Sequence, residues 1–253
     1  MNTNIAMEYL ILMNVSGLSE LGYAFEKSDS VGQGICYLLL IFSAGVWFVI
    51  VERIITLCTA LKSSRAFLQR FQEAGNLFEL QKYARESKSP AGAVYLDAVR
   101  RFKSFDAVRP GNICRGLTEK EVGLLRTTME RSVDKQMLAL EKFTLALASA
   151  VSGCPFLGLF GTVWGITVAF TKLAQTGQPD VRTLAPGVSG ALLTTVVALV
   201  VAIPSMLGNN MIVALLRTIG THLDDVVEEI AARFQVEFMQ DDATDVSNES
   251  PSS

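Results

Sequence analysis

The stretch GLFGTVWGITVAF, residues 158–170, lies inside a segment without charged residues that runs from Phe143 to Thr171. This segment is longer than the roughly 20 residues that a helix needs to cross a hydrocarbon core of about 30 Å. The stretch also contains three glycines, two threonines and one tryptophan, which a helix surrounded only by lipid does not require. It therefore predicts a transmembrane helix in which one face has a packing or pathway role.

Two other uncharged segments, 30–51 and 183–216, are also long enough to span a membrane. Half of the 253 residues are hydrophobic and 19% are charged, which is more apolar than an average soluble domain. We predict an all-α integral membrane protein with transmembrane helices at 30–51, 143–171 and 188–216.

The distribution of lysine and arginine predicts the orientation, because cations near span ends are enriched in the cytoplasm. Three cations lie near the membrane on one side, namely Lys27, Lys172 and Arg182. The other side has Arg53, Lys62, Arg65, Arg70, Arg126, Arg131, Lys135, Lys142, Arg217 and Arg233. We therefore expect an external N-terminal segment (1–29), an external loop (172–187), a cytoplasmic helical domain (52–142) and a cytoplasmic helix (217–240). The polar, acidic residues 241–253 predict a disordered tail.

The predicted cytoplasmic domain has the rhythm of helices rather than strands. Apolar residues recur at helical spacing over 61–86 and 92–105, and Pro110 and Gly111 predict a loop over 106–116. Thr118 and Glu121 form a Thr-x-x-Glu capping box. No glycine or proline follows Leu124 before the second span, so we predict one continuous helix from there into the membrane.

Composition excludes several classes of function. The net charge of −3 argues against a nucleic-acid partner. Cys36, Cys58, Cys114 and Cys154 lack metal-ligand spacing and are interpreted as reduced thiols. The single histidine, His222, lies on a charged helical face and is predicted to be solvated. No catalytic cluster, cofactor motif or metal site converges, so we expect a protein that is not an enzyme.

Two faces made of small residues occur on the second and third spans. Helical spacing groups Pro155, Gly158, Thr162, Gly165 and Ala169 on one, and Ala191, Thr195, Ala198, Ala202 and Asn209 on the other. Gly161-x-x-x-Gly165 would let a neighbouring helix approach closely. Helix packing is the simpler interpretation of these faces, and a wet pathway is the alternative. Thr195 could bond the carbonyl four residues back, and Pro204 is expected to loosen its helix.

These residues carry a resemblance. SGCPFLGLFGTVWGITVAF (152–170) and LAPGVSGALLTTVVALVVAIPS (184–205) resemble the signature of the MotA/TolQ/ExbB proton channel family, specifically its ExbB/TolQ branch. The resemblance implies a subunit of a motor in the bacterial inner membrane that converts proton-motive force into work on the cell envelope or outer-membrane transport. It also implies a ring of about five subunits around single-span partners of the ExbD/TolR type. Thr162 and Thr195 correspond to the family's pore threonines.

The third span departs from the family pattern at one position. The resemblance implies a glutamate just before the Ala191-Leu192 pair, where this chain has Gly190. The predicted second and third spans contain no Asp, Glu, Lys, Arg or His. A proton channel built on them should therefore need a partner with an intramembrane Asp. A non-conducting oligomeric scaffold for envelope proteins is the alternative function, and Gly190 is its best support. We expect a homo-oligomer because one three-helix protomer should be unable to bury both small faces.

Overall fold

The computed structural model describes residues 22–26, 28–108, 117–176 and 181–238. Beyond a short helical segment at 22–26, the described chain folds into six helices. These are α1 (Ser30–Glu73), α2 (Gln81–Ser87), α3 (Pro90–Val108), α4 (Glu119–Leu140), α5 (Thr144–Thr176) and α6 (Val181–Phe238). The all-helical prediction is confirmed for these residues.

Three helical stretches are long and apolar enough to cross a membrane, in the ranges Ser30–Glu73, Glu119–Gln175 and Leu184–Phe238. Each extends well beyond the roughly 20 residues that the hydrocarbon core requires. The predicted first span continues without interruption to Glu73, and the predicted third span continues to Phe238. The chain therefore has the three membrane-capable helices that its uncharged segments predict.

The chain divides into two compact units. The first comprises the described parts of 1–52 and 143–211, and the second those of 53–142 and 212–253. In the first unit, residues from three helices form a buried cluster made of Ile35, Leu39, Cys154, Ala198, Val201 and Ala202. Burying these side chains on one another fixes how α1, α5 and the first part of α6 pack within this unit.

An aromatic core holds the second unit together. The rings of Phe67 and Tyr95 lie 5.5 Å apart, and those of Phe102 and Phe234 lie 5.3 Å apart. The Arg233 guanidinium donates to the backbone carbonyls of Phe71 and Ala74 at the end of α1. This contact supplies donors to carbonyls that have no partner inside the helix.

Local sequence signals explain where several helices begin. Pro90 occupies the first position of α3, where a missing N–H costs nothing, and Ser89 Oγ accepts from Gly92 N at 3.0 Å. At the start of α4, the Thr118 side chain accepts from the Glu121 amide and the Glu121 side chain accepts from the Thr118 amide. The predicted capping box is confirmed.

Two predicted continuous helices are interrupted. The 61–86 segment divides, since α1 ends at Glu73 and α2 begins at Gln81, after the turn-forming Gly75 and Asn76. The helix predicted from Leu124 into the second span ends at Leu140, and α5 begins at Thr144. Phe143 there has a φ of 72°, a left-handed conformation that interrupts the helix. No glycine or proline marks this break, so helix-breaker rules missed it.

Other expectations meet the structure in different ways. Helices α5 and α6 extend into the predicted 172–187 connection from both ends. Helix α6 also continues through Pro204, with the Ser205 hydroxyl donating to Val201 O at 2.7 Å.

His222 is half-buried rather than fully solvated, and its Nε2 is buried without a partner in the described chain. Cys36, Cys58 and Cys154 are free thiols. Cys114, most of the 106–116 loop, most of segment 1–29 and the 241–253 tail lie outside the described residues.

Candidate functional site: the seam between α5 and α6

Three glycines of α5 meet small residues of α6 in a regular order, and we call this contact the seam. A Cβ at Gly158 would lie 2.5 Å from Ala198 Cβ, and one at Gly165 would lie 2.7 Å from Ala191 Cβ. Between them, a Cβ at Gly161 would lie 2.9 Å from Thr194 Cβ. Positions fall along α6 as they rise along α5, so the two helices run antiparallel. The absence of side chains at these glycines lets the two helices approach closely.

Two threonine hydroxyls of α6 converge on one backbone oxygen of α5. Thr195 Oγ1 donates to Gly158 O at 3.0 Å, and Thr194 Oγ1 lies 3.3 Å from the same oxygen. Thr194 Oγ1 also lies 2.7 Å from its own helix carbonyl at Ala191. The alternative, a bond from Thr195 to the carbonyl four residues back in its own helix, is not the contact observed, because the described hydroxyl bond crosses the seam. Hydrogen bonds between membrane helices add to close packing in holding them together.

Thr162 lies beside the seam rather than inside it. Its side chain is half-buried, and its hydroxyl donates to Leu159 O in the same helix at 2.7 Å. Thr195 reaches α5 at Gly158, which is about one helical turn away from Thr162. The structure therefore places the two threonines on neighbouring turns, without a hydrogen bond between them among the described contacts.

The remaining predicted face residues lie at different depths. Ala198 and Ala202 belong to the buried cluster of the first unit, and Ala169 packs against Gly187 at the other end of the seam. Pro155 lies within α5 and is half-buried. Asn209 Oδ1 is buried without a hydrogen-bond partner in the described part of the chain. Most of the predicted small residues are thus used for packing inside one protomer.

Gly190 packs against the backbone that precedes α1. A Cβ at this position would lie 2.9 Å from Ser28 Cα and 3.1 Å from Ser28 Oγ. Because the nearest atom belongs to the backbone, any larger side chain would force the chain at 28 to move. In this structure the position has no room for a carboxylate side chain.

An acid nevertheless lies nearby along the same segment. Asp29 Oδ1 accepts from the Gly32 amide at 3.1 Å, which caps the start of α1. Asp29 Oδ2 accepts from Trp164 Nε1 at 2.9 Å. Asp29 therefore joins the first helix to the GTVWG segment, which gives the tryptophan of the opening stretch a specific polar partner.

Sequence reasoning missed Thr194 and the contacts of Asp29 and Gly190. Thr194 is fully buried and lies three residues after Ala191 and four before Ala198, so strict helical spacing could have placed it on the seam. The contacts of Asp29 with Trp164 and of Gly190 with Ser28 join positions far apart in the chain. No local pattern identifies such pairs.

The seam can position and relay hydrogen bonds, but it lacks a group that changes charge at physiological pH. A threonine hydroxyl both donates and accepts, so its lone pairs remain available to water or to a carboxylic acid. Among the described residues there is also no cluster of three or more His, Cys, Asp or Glu side chains that could hold a metal ion.

Comparison with known proteins gives a consistent result. Residues 90–225 match the model of the MotA/TolQ/ExbB proton channel family. The chain is 31% identical over 199 residues to the Tol-Pal system protein TolQ of Pseudomonas aeruginosa, covering 78% of this chain and 84% of that protein. It is 28% identical to TolQ of Haemophilus influenzae over 81% of this chain and 89% of that protein. It is also 27% identical to the biopolymer transport protein ExbB of Neisseria gonorrhoeae, covering 83% and 94%.

Proposed function

Because the chain belongs to the MotA/TolQ/ExbB proton channel family, in its ExbB/TolQ branch, we propose that it is the channel-forming stator subunit of an inner-membrane motor. In this proposal, proton-motive force drives work on the cell envelope or outer-membrane transport. About five copies form the ring, and the large 52–142 segment and the C-terminal helix lie in the cytoplasm. The N-terminus and the α5–α6 connection lie outside, as the cation distribution favours.

The absence of charge along the seam supports a second component. The uncharged segments 143–171 and 183–216 supply hydroxyls but no acid or base. Proton transfer through a membrane needs titratable groups, which are rare there unless they are used. The partner proposed is therefore a single-span protein of the ExbD/TolR type with one intramembrane Asp, enclosed by the ring.

Thr162 and Thr195 are proposed as the proton-pathway residues that face this partner. Both hydroxyl protons are donated to carbonyls of α5, one to Leu159 O and one to Gly158 O. Each oxygen therefore presents lone pairs, which can accept from a protonated carboxyl group or from water. The observation that carries the proposal is the hydroxyl of Thr195 on an uncharged seam, with the hydroxyl of Thr162 on the neighbouring turn.

The test is the double substitution Thr162→Val, Thr195→Val in the complete complex with its partner. Valine keeps the shape of threonine and removes the polar atom, so assembly should persist while proton-driven activity is lost. The measurement is proton uptake by proteoliposomes that contain the complex, together with the yield of assembled complex. Thr218→Val is the matched control, because Thr218 is exposed and bonds its own helix at Ala214 O.

The same experiment tests the scaffold function, which the packing of Gly190 against Ser28 favours. Full proton-driven activity in the double variant would show that the threonines are structural. If the wild-type complex conducts no protons with any single-span partner, the protein is an oligomeric scaffold.

A further inference from the structure

The second unit contains a cavity of about 450 Å³ between α3 and α4. Helix α3 contributes Asp97, Arg100 and Arg101, and helix α4 contributes Arg131 and Lys135. All of the residues that line the cavity belong to these two helices, and none of them belongs to the seam. Nothing in the proposed channel mechanism uses it.

Positive charge in the cavity exceeds negative charge. Four cationic side chains line it against the one carboxylate of Asp97. Both oxygens of that carboxylate are already engaged, since Oδ1 pairs with Arg100 at 3.0 Å and Oδ2 accepts from Ser132 Oγ at 2.8 Å. Arg101, Arg131 and Lys135 have no carboxylate partner within the described ranges. The excess of positive charge on one cavity favours an anion as its ligand.

Arg101 has a donor that the protein leaves unused. Its Nε is buried and has no hydrogen-bond acceptor among the residues that the structure describes. The guanidinium carbon lies 5.3 Å from the centre of the Phe105 ring, which restricts the side chain. The Nε is closed to solvent, so a ligand in the cavity would meet the guanidinium through its terminal nitrogens, and an anionic oxygen there would neutralise its charge.

The hydroxyl groups that line the cavity already donate within the protein. Ser104, Thr127 and Thr128 donate to backbone carbonyls of their own helices, at 2.6, 3.0 and 2.8 Å. The donors left for a ligand are therefore the guanidinium and ammonium groups. Guanidinium groups match the geometry of phosphate oxygens, and several of them neutralise a dianion.

We propose that this cavity binds the phosphate group of an anionic molecule. Two sources share this chemistry, namely a soluble phosphate compound and the headgroup of an anionic phospholipid. Arg101 contacts the phosphate from α3, while Arg131 and Lys135 contact it from α4. The phosphate bridges the two helices and stabilises the second unit. This inference does not depend on proton conduction by the seam.

The experiment uses the full-length protein in a maltoside detergent, which contains no phosphate. Pyrophosphate and glycerol 3-phosphate are titrated by calorimetry, and thermal unfolding is followed in parallel. Saturable binding that raises the unfolding temperature is expected for a soluble source. For a lipid source, the unfolding temperature rises instead in nanodiscs of phosphatidylglycerol relative to nanodiscs of phosphatidylcholine.

Two exposed positions serve as variants, because removing the half-buried Arg101 could disturb folding. Arg131→Gln and Lys135→Gln should each weaken binding about tenfold, as expected for a lost charge-assisted hydrogen bond. Lys120→Gln removes an exposed cation from the same helix outside the cavity and should leave the affinity unchanged. Equal weakening by all three variants would show attraction to net charge alone and would overturn the proposal.

The remaining outcomes also decide the proposal. It is overturned if neither phosphate probe binds saturably and phosphatidylglycerol has no effect. Binding of an oligoglutamate peptide without binding of any phosphate probe would also overturn it, and would indicate an acidic protein partner. Proton uptake is measured separately on the same preparations, so failure of this site is distinguishable from failure of the proposed channel function.

Discussion

Tyr95 is the residue whose environment most clearly affects how stability depends on pH. Its side chain is fully buried beside Phe67 and Phe71, and its hydroxyl donates to Leu77 O. Burial raises the pKa of Tyr95 to about 12, although the positive charge of Arg233 acts in the opposite direction. The folded protein therefore keeps this phenol neutral at pH values where an exposed tyrosine, with a pKa of about 10, ionises.

This difference predicts a loss of stability at alkaline pH. The unfolded chain releases the Tyr95 proton near pH 10, whereas the folded chain holds it until about pH 12. The free energy of unfolding should fall across that interval by on the order of 2 kcal/mol. Tyr95→Phe should lower stability by about 1 kcal/mol at neutral pH, through the lost hydrogen bond, but should show a shallower fall above pH 10.

Denaturant unfolding of the protein in detergent, followed by circular dichroism between pH 7 and 12, measures both effects. Between pH 7 and 9 the two proteins should show parallel pH dependence, which provides the internal control. Identical slopes for the wild type and the variant above pH 10 would contradict the assigned role of Tyr95.

Single residues also show where sequence reasoning about the site stops. Helical spacing placed Gly158 and Gly165 on a small-residue face of the second span and Ala191 on a small-residue face of the third, and in the structure all three lie on the seam. The partner of a hydroxyl does not follow from spacing alone. Thr195 bonds Gly158 O rather than its own helix, because a neighbouring helix without a side chain at 158 brings a carbonyl within reach.

At the scale of helices, the seam makes a prediction about size. A methyl group at Gly161 would lie 2.9 Å from Thr194 Cβ, and Thr194 is fully buried and hydrogen-bonded. Gly161→Ala should therefore separate α5 from α6 and destabilise the protein by about 1–3 kcal/mol, as overpacking typically does. The measurement is the thermal unfolding midpoint in detergent, with the yield of assembled complex as a second readout.

Gly153→Ala is the matched control on the same helix, because a Cβ there would meet nothing within 4 Å. It should leave the midpoint unchanged or raise it slightly, since alanine favours the helix over glycine. The double variant Gly161→Ala, Thr194→Gly should recover part of the loss, because it removes the Thr194 side-chain atoms that the new Cβ would meet. If Gly161→Ala is as stable as Gly153→Ala, the close approach at residue 161 is not required.

The sequence predicts the helices better than their ends. Uncharged length identifies all three membrane-capable helices, since it follows directly from the thickness of the hydrocarbon core. The capping box identifies the start of α4 for an equally local reason. The end of α4 at Leu140 and the left-handed Phe143 have no such signal. They lie beside the division between the two units at 142/143, which no local residue pattern displays.

At the scale of the whole molecule, the structure changes the argument for self-assembly. Assembly was expected because one protomer should be unable to bury both small faces. Instead Gly158, Gly161 and Gly165 pack against Ala198, Thr194 and Ala191 within the same chain. The surfaces left for other copies are the large apolar side chains that the protomer exposes, among them Phe48, Phe156, Phe160, Val200 and Leu207. In a bilayer, such side chains contact either lipid or a neighbouring helix.

We still predict a homo-oligomer, now formed through these exposed side chains rather than through the glycines. The proposed pathway requires that the packing of copies around a central partner leave half-buried Thr162 facing that partner. Native mass spectrometry of the detergent-solubilised protein over a range of concentrations measures the stoichiometry, and five copies are expected. Co-purification with the single-span partner should add mass without changing that number. Because the seam lies within one protomer, Gly161→Ala should lower the unfolding temperature of the protein while the number of copies in the ring stays the same. A monomer at all concentrations, with and without the partner, would contradict both the ring and the channel that depends on it.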